Sequence, residues 1–149
     1  MKTFKFKDLT KIEQEMLIKA KEALSFSYCP YSNFSVAASV LTEKGNIIVG
    51  VNVENISYGS TICAEANALA KTRSQTKEKI KKIAIIAKNK NDTFTDIIAP
   101  CGNCRQLIYE FSTLSKVDTL VIMSNNKMTK ILKQNISKLL PLAFEAKKL

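Results

Sequence analysis

The chain of 149 residues has no histidine, only two arginines among its 23 basic residues, and no apolar run of membrane-spanning length. Without histidine there can be no Cys-His nucleophilic pair, and the common nitrogen ligands for zinc are missing. The longest apolar stretches, KIAIIA (82–87) and TLVIM (119–123), fall far short of the ~18 residues a spanning helix requires. The start, MKTFKFKDLT, has no apolar core of the kind a secretory leader carries. A cytoplasmic protein without membrane attachment is therefore expected. In that reducing setting the four cysteines read as catalytic or metal-binding thiols rather than a disulfide framework.

The shortage of arginine also decides how the formal charge of +10 is read. Phosphate and base recognition favours arginine forks and stacking aromatics, whereas 21 of the basic residues are lysines scattered without aromatic interleaving. The expectation is a solvated lysine-rich surface and no nucleic-acid partner. A non-catalytic, basic RNA-binding protein is the reading from another class that this observation weighs against.

What is present fits one domain, 1–149, large enough to bury a core unaided. Apolar residues at helical spacing from Leu9 to Leu24 predict an amphipathic helix over 8–26. FSVAASVL (34–41) and NIIVGVNVE (46–54) predict two strands joined through Gly45 as a hairpin. A helix follows from Cys63 to about Arg73, with Ser60 or Thr61 as its N-cap. KIAIIAK predicts a buried strand, 101–114 a helix, and VDTLVIMS (117–124) a fourth strand. MTKILK supplies a short fifth strand, and Asn135 caps a last helical turn. The order α-β-β-α-β-α-β-β-α implies an α/β fold, an α-β-α sandwich around a five-stranded mixed sheet.

The thiols fall at the starts of predicted helices: Cys63 at one, Cys101 and Cys104 at the other, just after Pro100. Helix N-termini favour thiolates, the form that binds metal. Three thiolates with one open position make a catalytic rather than a structural zinc site, with one ion per chain. Cys29 has no partner at metal-motif spacing. Taken by itself, a single C-x-x-C also fits a buried apolar pair or a redox motif. Glu65, two residues after Cys63, points away from the ligand side yet stays near the metal. Zinc lowers the pKa of water to about 7, and a carboxylate so placed can carry the released proton.

C-A-E followed by P-C-x-x-C resembles the signature of the cytidine deaminase family, in the small, homotetrameric, three-cysteine form. The resemblance runs over most of the chain: YCPYSNFSVAASVL, VNVENISYG, TICAEANAL, APCGNCRQLIYEF and LLPLAF occur in order. It implies hydrolytic deamination of cytidine and deoxycytidine to uridine and deoxyuridine, a step of pyrimidine salvage. By position it implies zinc on Cys63, Cys101 and Cys104, and Glu65 as the proton carrier. Asn52 and Glu54 are to bind the ribose hydroxyls, Phe34 to pack on the pyrimidine, the backbone around Ala64 to contact the base, and Tyr58 to help line the site. Phe144 is to reach the pyrimidine of a neighbouring subunit.

One departure matters for the metal. The family usually follows C-A-E with arginine, whereas this chain has Ala66, as blasticidin S deaminases do; the intact NVEN favours a nucleoside substrate over that rival. Three thiolates on Zn²⁺ leave a formal charge of about −1, to be offset by the helix N-termini and by Arg105 placed against a ligand sulfur.

Overall fold

The computed structural model describes residues 2–145. Its core is a six-stranded sheet in the order β1-β6-β5-β4-β2-β3, formed by β1 (Thr3–Phe4), β2 (Phe34–Thr42), β3 (Ile47–Val51), β4 (Ile80–Asn89), β5 (Leu120–Asn125) and β6 (Ile131–Asn135). Helix α1 (Lys11–Ala23) covers one face. On the other lie α2 (Ala64–Gln75), α3 (Gly102–Ser115) and the single-turn α4 (Ile136–Leu139). The expected α-β-α sandwich is present, with six strands instead of five. The additional strand, β1, pairs Thr3 and Phe4 with Leu132 and Ile131 at the sheet edge. Two residues are too few to display a period of two, so nothing in the pattern marked it.

Strand alternation divides the core between the two faces. In β4, Ile83 and Ile85 pack toward α2 and α3, while Ala84 and Ile86 pack toward α1. Ala38 and Val40 of β2 face α2 and α3, and Ala37 and Leu41 face α1. Helix α1 begins with a reciprocal cap: Thr10 Oγ1 accepts from the Glu13 backbone N–H, and the Glu13 carboxylate accepts from Thr10 N–H. The carboxylate also receives the ammonium groups of Lys82 from β4, at 2.7 Å, and Lys133 from β6, at 2.9 Å. The hairpin β2–β3 turns through Gly45 at φ +90°.

Topology brings the helix starts together. Strand β2 runs antiparallel to both β3 and β4, so β3 and β4 point the same way. Helix α2 follows β3 and α3 follows β4 as the crossover to its parallel partner β5. Both helices therefore begin at one edge of the sheet and on one face, the position where α/β sheets place their ligands. Gly50 of β3 lets α2 settle directly on the strand. A Cβ there would lie 2.3 Å from Ala68 N and 2.8 Å from Ala64 O. The Asn67 side chain adds a hydrogen bond to Val51 O at 3.0 Å.

Several boundaries differ from those expected, for reasons of long range. The first helix is confined to 11–23, with short 3-10 turns on either side. Regular pairing in the second hairpin strand stops at Val51, and Val53 forms an isolated bridge with Ile62. That bridge keeps residues 61–63 extended, so neither Ser60 nor Thr61 caps α2; the N-cap is Cys63. The strand expected from 117 begins at Leu120, because Val117 and Thr119 remain bonded to Ser112 at the end of α3. The one expected over 128–133 lies at 131–135, since Asn125 Oδ1 holds Thr129 and Lys130 in a turn. Asn135 occupies the N-cap position of α4, but its amide donates to Asp118, whose other oxygen accepts from Ser137 N. No helix among the described residues is long and apolar enough to cross a membrane.

Candidate active site

Cys63 and Cys101 are the N-cap residues of α2 and α3, each in extended backbone geometry and neither spending its side chain on a capping hydrogen bond. Cys104 is the third residue of α3 and fully buried. N-cap and third-residue side chains face one another across the first helical turn, which is why the C-x-x-C spacing places two sulfurs together. The three sulfurs lie within 4.8 Å of one another. A tetrahedral zinc with Zn–S bonds of about 2.3 Å needs sulfurs roughly 3.8 Å apart, so small adjustments close this set on an ion.

The electrostatics point the same way. Burial raises the pKa of Cys104 far above its ordinary value, and the neighbouring charges of Glu65 and Cys63 add to the effect. Burial also raises Cys63, with Cys101 and Glu65 contributing repulsion. Three thiols crowded against a carboxylate cannot ionise together without a cation, whereas a divalent ion stabilises all three thiolates. The donor set fits zinc, and the helix N-termini supply positive potential from behind.

Glu65 is the second residue of α2, 5% exposed. Burial raises its carboxyl above the ordinary value, while its own backbone amide and the Cys104 thiol pull it partly back. It lines a pocket of about 170 Å³ together with Cys63, Ala64, Cys101 and Asn52. The remaining wall is made by Val36, Thr61, Ile85, Ile98 and Ala99, none of which the sequence reading placed in the site. Ile98 and Ala99 directly precede Pro100 of the metal motif, and that adjacency was the signal available for them.

Of the expected substrate residues, Asn52 and Ala64 line this pocket, whereas Phe34, Glu54, Tyr58 and Phe144 do not. Asn52 extends the β2–β3 pairing with its side chain: Nδ2 donates to Phe34 O at 2.9 Å, and Oδ1 accepts from Val36 N at 2.9 Å. One N–H and one lone pair of that amide are left over for a ligand. Phe34 shares the face of Val36 one step nearer the strand start, and its ring meets Phe94 edge-on at 5.2 Å. Glu54 is beyond regular strand pairing. Its Oε2 accepts from Tyr31 N at 3.0 Å and Ser32 N at 3.2 Å. The Ser32 hydroxyl and these amides, opposed by partial burial, lower its pKa. Tyr58 is 74% exposed and meets Tyr31 edge-on at 6.1 Å. The Phe144 ring is 82% exposed.

Arg105 is placed differently from the expectation. Its Nε donates to Pro100 O at 2.9 Å and its Nη1 to Leu139 O at 3.3 Å, so the guanidinium is committed to two carbonyls instead of a ligand sulfur. The physical reason is the end of α4, whose last-turn carbonyl lacks an intrahelical partner and attracts a cation. Ala66 lies in an apolar groove between α2 and α3, beside Leu69, Leu107 and Phe111.

An α-β-α fold that gathers three thiols and a buried carboxylate at the carboxyl edge of its sheet has the make-up of a metal-dependent hydrolase. Residues 10–121 match the family model described as the cytidine and deoxycytidylate deaminase zinc-binding region. A cytidine deaminase of Halalkalibacterium halodurans is 40% identical over 136 residues, which span 91% of this chain and 96% of that protein. One from Sporosarcina psychrophila is 35% identical over 131 residues, 88% of this chain and 90% of its own. The crystal structure of cytidine deaminase from Burkholderia pseudomallei superposes with a TM-score of 0.78 at 33% identity, covering 91% of this chain and all of that one. The chain belongs to the cytidine and deoxycytidylate deaminase family, and it is a hydrolytic deaminase with zinc as its cofactor.

Proposed function

We propose that this site deaminates the free nucleosides cytidine and deoxycytidine, giving uridine or deoxyuridine and ammonia. The observation that carries this reading is the buried Glu65 carboxyl beside three sulfurs within 4.8 Å of one another, with Glu65, Cys63 and Cys101 on the wall of one small pocket. A nucleoside is favoured over a nucleotide because no lysine or arginine lines that pocket among the described residues, leaving a phosphate without a counter-charge.

Cys63, Cys101 and Cys104 would hold zinc, which supplies Lewis-acid activation of water at neutral pH. Glu65 moves the protons. Its carboxylate takes one from the attacking water and delivers it to N3 of the pyrimidine as C4 is attacked, then takes the proton of the new C4 hydroxyl and passes it to the departing amino group, so that ammonia leaves as the C4 carbonyl forms. The raised pKa of Glu65 suits this work, since a carrier must hold the proton between the two transfers. Val36, Ile85 and Ile98 exclude bulk water around the base. The spare N–H of Asn52 and the carboxylate of Glu54 bind the ribose hydroxyls, Phe34 packs on the pyrimidine, Tyr58 borders the entrance, and the Ala64 backbone meets the base edge.

The protein works as a cytoplasmic homotetramer in pyrimidine salvage, with Phe144 of each subunit completing a neighbour's pocket. The exposure of Leu142 and Phe144 together supports this, because apolar side chains exposed side by side mark contact surfaces. Incubating zinc-loaded protein with cytidine, deoxycytidine, dCMP and blasticidin S while following ammonia release tests the reading. Turnover of both nucleosides is expected, with little from dCMP or blasticidin S. Preferential turnover of either of those two would replace it.

A further inference from the structure

The ring of Phe144 is exposed, and so is nearly all of Leu142 two residues before it, so packing within the chain does not decide where the ring points. Hydrogen bonds to its backbone do. Gln106 Oε1 accepts from Phe144 N at 3.1 Å, and Gln106 Nε2 donates to Phe144 O at 2.9 Å. A single side chain thus satisfies both backbone groups of one residue, the pairing a neighbouring strand would otherwise provide. Arg105 holds Leu139 O, and the Tyr109 hydroxyl donates to the Glu145 carboxylate. Residues 106 and 109 lie on one side of α3 and grip consecutive residues of the tail. Helix α3 also carries Cys101 at its cap and Cys104 in its first turn. One rigid element therefore bears two metal ligands and sets the stance of the terminal aromatic.

We propose that Gln106 is a positioning residue for substrate affinity: it fixes the Phe144 backbone so that the ring enters a neighbouring subunit's pyrimidine pocket. The inference rests on the reading of Phe144 given above. It assigns to α3 two tasks in two different sites, holding metal in its own and orienting the ring that closes the next. The side-chain amide is suited to the task because it offers a donor and an acceptor in one plane, which neither a carboxylate nor an ammonium can do.

The test uses zinc-loaded, full-length protein carrying Gln106→Ala, Phe144→Ala, and both together. Each single variant is expected to raise KM for cytidine roughly 2- to 12-fold, the span of one aromatic contact, with kcat, zinc content and sedimentation unchanged. The double variant is expected to be no worse than Phe144→Ala alone, because two residues acting through one contact are not additive. If Gln106→Ala does not fold, Gln106→Met keeps the length without the hydrogen bonds and gives the same readout. An increase in KM for Phe144→Ala without one for Gln106→Ala overturns the positioning role while leaving the reading of Phe144 intact. Unchanged KM in Phe144→Ala removes that reading and the inference with it. Loss of zinc or of kcat in Gln106→Ala shows that the residue acts on the metal end of α3, and that also overturns the proposal.

Discussion

Glu13 and Glu65 each sit in the first turn of a helix, α1 and α2, on opposite faces of the same sheet, 1% and 5% exposed respectively. Burial opposes ionisation of both, but their surroundings then diverge. Hydrogen bonds from Lys82, Lys133 and Thr10 overcome the burial of Glu13 and lower its pKa to about 2. Glu65 has no lysine or arginine bonded to it, its neighbours being the cysteine sulfurs, and burial leaves its pKa raised. The same residue type in the same helical context has its pKa pulled down in one place and pushed up in the other. Its partners, fixed by the fold, decide which.

The comparison breaks most severely at Glu65. Glu65→Gln keeps the shape and removes the proton site, so turnover should fall ~10²- to 10⁴-fold while metal analysis still finds one zinc per chain. Near-normal turnover in the zinc-loaded variant would reduce Glu65 to a helix-end charge.

Removing the charge of Glu13 should act on stability alone. Its folded pKa lies below the ordinary 4.5, so its contribution is fully present above about pH 4.5 and is lost as pH falls toward about 2. Glu13→Gln should therefore cost on the order of 3 kcal/mol in urea unfolding at pH 7, leave kcat unchanged in the folded protein, and flatten the loss of stability between those pH values. A variant as acid-labile as the parent would show that other carboxylates carry the acid transition.

A smaller effect tests whether one lysine suffices. Lys82→Met leaves Glu13 with Lys133 and Thr10, and should cost about 1–2 kcal/mol by the same unfolding measurement, less than Glu13→Gln. An equal loss would mean that the two lysines work only as a pair.

Cys29→Ser should have the smallest effect of all. Cys29 lies outside the sulfur cluster, with its Sγ 3.4 Å from Ser35 Oγ, so full zinc and unchanged turnover are expected; substantial loss of metal would reopen the ligand assignment.

These two glutamates also mark how far the sequence could be read. The metal ligands were legible because their signal is short in range: a cap and a third residue, three apart, at a helix start after proline, in a chain without histidine. Glu65 was legible for the same reason, two residues from a ligand. Glu13 was not, because its lysines stand 69 and 120 residues away and only the folded sheet brings them to it. Arg105 followed the same rule: its neighbour Cys104 suggested a sulfur, but a carbonyl 34 residues on, at Leu139, took one of its donors. The grip of Tyr31 and Ser32 on Glu54, across more than 20 residues, and the bridge of Val53 with Ile62 that delays α2 are contacts of tertiary origin too. Periodicity located the strands of the sheet except β1, whose two residues span a single period and cannot show a repeat.

The seat of α2 on Gly50 bears on how Glu65 moves. Where a helix normally rests on a strand through side chains, rotamer changes let the two elements shift against each other. At Gly50 there is no side chain to rearrange, and the strand backbone approaches the helix backbone directly near Ala64 and Ala68. Displacing the first turn of α2 toward the strand meets peptide atoms, and Asn67 restrains it from lifting away. The Glu65 backbone is thereby tied to the sheet. In the role proposed for Glu65 such a tie matters, because proton transfer requires alignment within a few tenths of an ångström.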